Sequence, residues 1–508
     1  MRTRRAHILA LVALISGALC LSLQAQRATP RAQPLFEHVK VTVPETAPAL
    51  RYAKAYQVVR IRWQEVENLQ PGSRLLLNLM EGVNPIGKVE RVERRAERRY
   101  SCFGQLEGLD GSHFILVVEE DALAFFVSAP AFEATFDLRY YRDDLYVVIL
   151  VGEEPPCGNQ KDMTPPAFEM TPEDAAWHER FAGQDFEMAG GDEFGTAACM
   201  QPRAVLDIAV YYTTQARQAI GGVNQMNARI QLFIDQCNEA YQNSQVELTA
   251  RLVRRLEVTY TGEGGGDSVT QIDHLTNPSD GVLDDIHPDR TNYRADQVIL
   301  LVNSMPGFCG RAWCGNGSDP DRAFGVVKWD CITYTFPHEI GHNQGCDHDR
   351  ANAGSGCPLR SYAYGWRFWG NDGVQYRTVM AYAPGTRIPY FSNPNVTYQG
   401  VATGVPIGQP NEAHNASVIN ETRRSRETFR LLDIWVDFSY SGFFEFGTFT
   451  FPFNTVIEGV NAITTFVDTA VLDFPTLYIK AGSRNERPTI SKRMRIEACG
   501  GTVRIGAP

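Results

Sequence analysis

The run His338-Glu339-Ile340-Gly341-His342, followed by Gly345 and His348, places three imidazoles and one carboxylate at spacings that suit a single metal ion. On a helix, residues four apart share a face, so His338 and His342 can aim ring nitrogens at one point. Glu339 is the next residue round the helix and reaches the water side of such an ion. Gly345 has no Cβ and tolerates positive φ, which lets the helix stop and the chain turn back to deliver His348. Three histidines with a fourth position open to water are the ligand pattern of catalytic zinc, whereas structural zinc is usually closed by cysteines. The chemistry such a set performs is hydrolysis, with zinc as Lewis acid and Glu339 as general base. One zinc ion is the expected cofactor; nothing in the sequence indicates calcium.

The extended HExxHxxGxxHD form, His338 to Asp349, resembles the zinc helix of the metzincin superfamily, and Val379-Met380-Ala381-Tyr382 resembles the methionine turn that follows it. The resemblance implies that Met380 lies beneath the zinc ligands as an apolar floor. Asp349, directly after the third histidine, looks like the reprolysin (adamalysin) branch and is expected to orient the site by hydrogen bonds rather than to bind metal. Tyr382, two residues after the methionine, looks instead like astacins and serralysins. Either it swings toward the metal and stabilises the oxyanion, or it is a buried aromatic beside the turn.

The elements that must position these residues are legible around them. Leu206 to Tyr212 reads as a buried strand, and Val223, Met226, Ile230, Phe233, Ile234, Cys237 and Tyr241 recur at helical spacing, so Gly222 to Asn243 is expected as a long helix with that stripe inward. Val246–Val258, Val298–Val302 and Phe324–Val327 supply further strands, and the zinc helix is expected from Thr333 to Gln344. This order fits a metzincin α/β domain: a twisted, mostly parallel sheet with helices packed on it and the zinc cleft along its edge. Ala323–Trp329 is read as that edge strand, where a peptide would pair as an added strand.

At 508 residues the chain should be multidomain. Residues 1–25, basic and then apolar, read as a secretory signal peptide, which implies export, in a bacterium by the likeness given below. Residues 26–159 carry short alternating runs such as Tyr56–Ile61, Phe114–Val118 and Leu145–Ile149, the mark of a β-rich N-terminal, prodomain-like domain. Residues 160–201 lack apolar periodicity and read as an exposed linker and processing region. The protease-like domain is placed at 202–432. Residues 433–508 are read as a small all-β accessory module, either the first rungs of a β-helix or a sandwich.

A net charge of −11 argues against a nucleic-acid partner. No apolar run after the signal is long enough to span a membrane, so protein or peptide substrates are the expected partners, with oligomeric state left open. Of eleven cysteines, Cys20 leaves with the signal. Spacing favours the pairs Cys346–Cys357 and Cys309–Cys331.

Taken together, the N-terminal strands, Pro155-Pro156-Cys157-Gly158, the stretch Phe308 to Trp313, the zinc motif and the methionine turn resemble bacterial reprolysin-like enzymes related to peptidyl-Asp metalloendopeptidases. The resemblance implies that Cys157 is a cysteine switch, a thiolate in the open zinc position that keeps the precursor silent; the other reading is a disulfide with Cys102. It also implies cleavage beside acidic residues. That requires a cation, for which Arg387 is the candidate, unless it is a surface residue. The expected function is therefore a secreted, latent zinc endopeptidase. The alternative is a silent binding or adhesion protein on the same scaffold, against which the intact Glu339 and the three histidines count.

Overall fold

A computed structural model describes residues 32–158, 171–181, 199–200, 203–264, 266–315, 319–354, 357–465 and 474–506. The signal-peptide reading of residues 1–25 lies outside them.

The N-terminal part is one nine-stranded antiparallel sheet: β1 (Phe36–His38), β2 (Ala53–Ile61), β3 (Arg74–Leu76), β4 (Ile86–Ala96), β5 (Arg99–Leu106), β6 (His113–Glu119), β7 (Ala122–Ala129), β8 (Ala134–Arg142) and β9 (Leu145–Val151), in the spatial order β1-β2-β9-β8-β7-β6-β5-β4-β3. Strands β6, β7 and β9 are buried along their whole length, because both faces of this sheet are covered. After them comes helix α1 (Pro172–Phe181).

The central part is a five-stranded sheet of β10 (Ala204–Thr213), β11 (Leu248–Val258), β12 (Gln297–Val302), β13 (Gly310–Ala312) and β14 (Phe324–Lys328), ordered β11-β10-β12-β14-β13. The first four are parallel, and β13 pairs antiparallel with β14. Helices α2 (Thr214–Ile220), α3 (Val223–Asn243), α4 (Ser268–Thr276), α5 (Ile286–Asn292) and α6 (Thr335–Asn343) accompany it. The edge strand is thus β13, not Ala323–Trp329 as expected; that stretch forms the interior strand β14. Three residues, Gly-Arg-Ala, are too short to carry a period-2 signal, while the apolar β14 is interior.

Helix α3 is buried nearly all round. Its apolar stripe faces the central sheet, but its polar side is covered by the N-terminal sheet, so the two share one core that includes Ile115, Val117, Phe126, Ile149, Ile230, Phe233 and Ile234. Of the expected stripe only Val223 is exposed, at the helix start. The polar residues of α3 find partners across this contact. Asp137 of β8 accepts from Arg229 of α3 at 3.0 Å and from Arg139 at 2.7 Å, all three nearly inaccessible. Asp235 accepts from the Ser101 hydroxyl at 2.5 Å. Removing one partner of a buried ion network strands the others, so Asp137→Ala should cost the full-length chain about 3–5 kcal/mol, read by denaturant unfolding. A loss within about 0.5 kcal/mol, the size of a surface substitution, would contradict the assigned network.

The 160–201 segment is not simply an exposed linker. Within it, α1 docks: Asp174 is buried 2.7 Å from Arg430 and 3.9 Å from Arg290, and Trp177 packs edge-on against Phe429 at 4.9 Å. Cys199 is disulfide-bonded to Cys499 of the C-terminal part. One tryptophan and one aspartate carry this docking, and they leave no periodic trace.

The C-terminal part is not all-β. Strands Ile434–Val436, Thr476–Arg484 and Arg495–Ile505 pair in parallel, and helix Val456–Ala462 packs its Val456 and Val460 with Leu477 and Ile479. The parallel pairing departs from a small antiparallel sandwich. Among the described residues, no helix is long and apolar enough to cross a membrane.

Candidate active site

Helix α6 starts at Thr335 with Pro337 in its first turn, where a missing N–H costs nothing. Its far end is fixed by Asn343, buried, whose amide donates to the carbonyls of Trp313 (2.9 Å) and Phe324 (3.0 Å) and accepts from Gln297 (2.8 Å). This ties the helix to the edge of the central sheet. Gly345 takes φ +90° after the helix, as its role in turning the chain requires, and a side chain there would meet Leu359 at 2.7 Å.

The turn brings the three histidines together. His342 Nε2 lies 3.1 Å from His338 Nε2 and 3.0 Å from His348 Nε2. Each opposite ring nitrogen is bound to a backbone carbonyl: His338 Nδ1 to Val379 O (2.8 Å), His342 Nδ1 to Cys346 O (3.0 Å) and His348 Nδ1 to Asn352 O (3.3 Å). Carbonyls only accept, so Nδ1 carries the proton and each Nε2 presents a lone pair to the others. Burial pushes all three imidazoles down, His348 to about 4, which keeps them neutral. Three neutral acceptors facing one another repel unless a cation lies between them. The donor set therefore fits zinc.

Two further groups face this point. The ligand atoms of Cys157, His338 and Glu339 lie within 4.8 Å of one another. Burial raises Glu339 to about 8, and burial followed by the Glu339 charge raises the Cys157 thiol; a divalent cation held by the imidazoles would act against both shifts. A side chain at Gly310 of β13 would collide with the Glu339 carboxylate, so glycine is what lets the edge strand approach.

Met380 is fully buried, and a side chain at Gly341 would come within 2.5 Å of its sulfur, so the methionine lies directly under the histidine helix. Asp349 does not reach an imidazole. It accepts from Tyr382 N (3.1 Å), Arg367 (2.6 Å) and the Asn352 amide (2.9 Å), thereby bracing the methionine turn and the residue whose carbonyl holds His348. The Tyr382 ring lies 4.0 Å from that of His348, and its hydroxyl donates to Cys157 O at 2.7 Å.

Cys157 is not paired with Cys102; both thiols are free, and Cys102 is buried in the N-terminal sheet. Its segment lies along the edge strand: Cys309 N donates to Pro156 O (2.9 Å) and Gly158 N to Gly310 O (2.7 Å). Cys309–Cys331 is bonded as expected. Cys357 pairs with Cys314 rather than Cys346, whose thiol is buried against Asn415 O at 3.8 Å. Arg387 is no free surface residue: Nη1 donates to Thr333 O at 2.9 Å. It lines, with Arg377, Tyr382, Thr333, Glu154 and Cys157, a cavity of about 410 Å³ beside the histidines. Arg377 was not singled out from the sequence; its pairing with Arg387 in adjacent strands is a tertiary fact.

This fold and this cluster define a reprolysin-like metallopeptidase domain: residues 203–392 match Reprolysin_5, metallo-peptidase family M12. That family implies a zinc cofactor. The chain is similar to a peptidyl-Asp metalloendopeptidase of Stenotrophomonas maltophilia, 37% identical over 249 residues that cover 48% of this chain and 57% of the relative. It is similar also to the one of Xanthomonas campestris pv. campestris, 38% identical over 232 residues, 45% of this chain and 52% of that one. The match spans little more than half the length of these relatives. Among solved structures, a promirolysin variant of Tannerella forsythia aligns over 46% of this chain and 83% of its own at 13% identity and TM-score 0.27, too little to argue from.

Proposed function

We propose that this chain is an exported zinc endopeptidase made in a latent form. The observation that carries this reading is the seating of Cys157 against His338 and Glu339, on a segment that covers the cleft. His338, His342 and His348 would hold the ion, and zinc, when bound, supplies a Lewis acid and an acidified water. Glu339 takes the proton at its carboxylate and passes it to the leaving amine. β13 pairs with the substrate backbone once residues 156–158 have left it. Tyr382, freed from Cys157 O, donates to the oxyanion. The three disulfides among the described residues suit an oxidising, extracellular setting. The names of the relatives, with two arginines in the cavity wall, support a preference for acidic residues at the cut.

The test is hydrolysis of an unfolded protein by chain processed from the full-length form. Activity should vanish on chelation and return with zinc; zinc bound without any cleavage would favour a silent binding protein. Tyr382→Phe should lower turnover roughly 10²-fold at unchanged zinc content, the usual cost of one oxyanion donor. Unchanged turnover would leave Tyr382 as a buried aromatic only.

A further inference from the structure

Three residues before Cys157, the partly buried Glu154 carboxylate is bound by three donors of the central domain. Oε1 accepts from Ile332 N (2.8 Å), and Oε2 accepts from Thr333 N (3.3 Å) and from the Thr333 hydroxyl. These donors lie on the loop just ahead of α6. When the segment around Cys157 leaves, two backbone N–H groups and one hydroxyl lose their acceptor together and must find another.

The surroundings select what that acceptor is. The central-domain wall of the cavity carries Arg377 and Arg387 and no carboxylate, while the covering wall brings Glu133, Glu153 and Glu154 against one cation, Lys54. Arg387 fixes the Thr333 peptide through its carbonyl, and its own Nε is buried without a hydrogen-bond partner among the described residues. The Cys309–Cys331 disulfide fastens the start of the loop next to β13. Two convergent amides, a hydroxyl and a guanidinium behind them are a carboxylate receptor.

We propose that the Ile332–Thr333 amides and the Thr333 hydroxyl, backed by Arg387, form the subsite that takes an acidic side chain of the substrate, and that Glu154 is its internal occupant in the precursor. This rests on the endopeptidase reading above and assigns its acid preference to named groups. Glu154 then helps hold the precursor closed by filling the site its substrate needs.

The experiment compares chain processed from the full-length form, wild type and Thr333→Val, on two peptides that differ only in Asp against Asn at the cut. Wild type should favour the Asp peptide at least tenfold in kcat/KM, and Thr333→Val should narrow that ratio roughly tenfold, the cost of one hydrogen bond to a charged group. Thr333→Ser, which keeps the hydroxyl, should retain the ratio. An unchanged ratio in Thr333→Val, or equal cleavage of both peptides by wild type, overturns the subsite while leaving the endopeptidase intact. If neither peptide is cut, the endopeptidase reading fails. The subsite is then judged by binding of the same peptides, fluorescently labelled: equal affinities overturn it, and tighter Asp binding that Thr333→Val weakens supports it.

Discussion

Full-length Cys157→Ala is expected to hydrolyse an unfolded protein without any processing, about a hundredfold faster than the wild-type precursor if the thiol closes the site by about 2.7 kcal/mol. The thiol is placed against His338 and Glu339, and two backbone bonds to Cys309 and Gly310 hold its segment on the edge strand. The substitution removes the sulfur and leaves those backbone bonds. A variant as silent as wild type would show that the covering chain, and not the thiol, imposes latency. The gain should disappear on chelation, since it comes from opening a metal position rather than from a contaminating enzyme.

Glu339→Gln should lower kcat of the processed chain by about 10²–10⁴, the range that a positioned general base contributes, with zinc content unchanged. The amide keeps the shape and cannot take a proton. Glu339 is the only carboxylate that lies within ligand distance of both His338 and Cys157 among the described residues. Asp349, the acid that ends the motif, spends its oxygens on Tyr382 N, Arg367 and Asn352. Turnover within threefold of wild type in Glu339→Gln would move the base elsewhere. Loss of zinc in that variant would mean the carboxylate serves the metal instead.

The histidine cluster was readable because its geometry is local: two positions on one helical face and one glycine that must turn. Gly345 at positive φ follows from its place in the motif, and Met380 beneath Gly341 from the likeness of its stretch to a methionine turn. Strands β10, β12 and β14 were visible as apolar runs for the same reason that parallel strands are buried on both faces. What escaped depends on contacts between distant segments. The polar side of α3 looked like a solvent face, yet Arg229 and Asp235 meet Asp137 and Ser101 of another sheet. Edge strand β13 is three residues with no pattern, and its Gly310 is required only because Glu339 passes beneath it. Cys357 chose Cys314 over the nearer Cys346 because Cys346 points into the core beside Asn415. Arg387 was chosen from the sequence as a cation near the turn, but its partner Arg377 and the Thr333 loop between it and Glu154 come together only in the fold.

The most direct measurement is zinc-edge X-ray absorption on the full-length precursor beside full-length Cys157→Ala. Three nitrogen ligands and one sulfur at about 2.3 Å are expected in the wild type, with the sulfur replaced by oxygen in the variant. A wild-type spectrum with nitrogen and oxygen only, or a precursor that binds no zinc, would contradict a zinc site closed by Cys157.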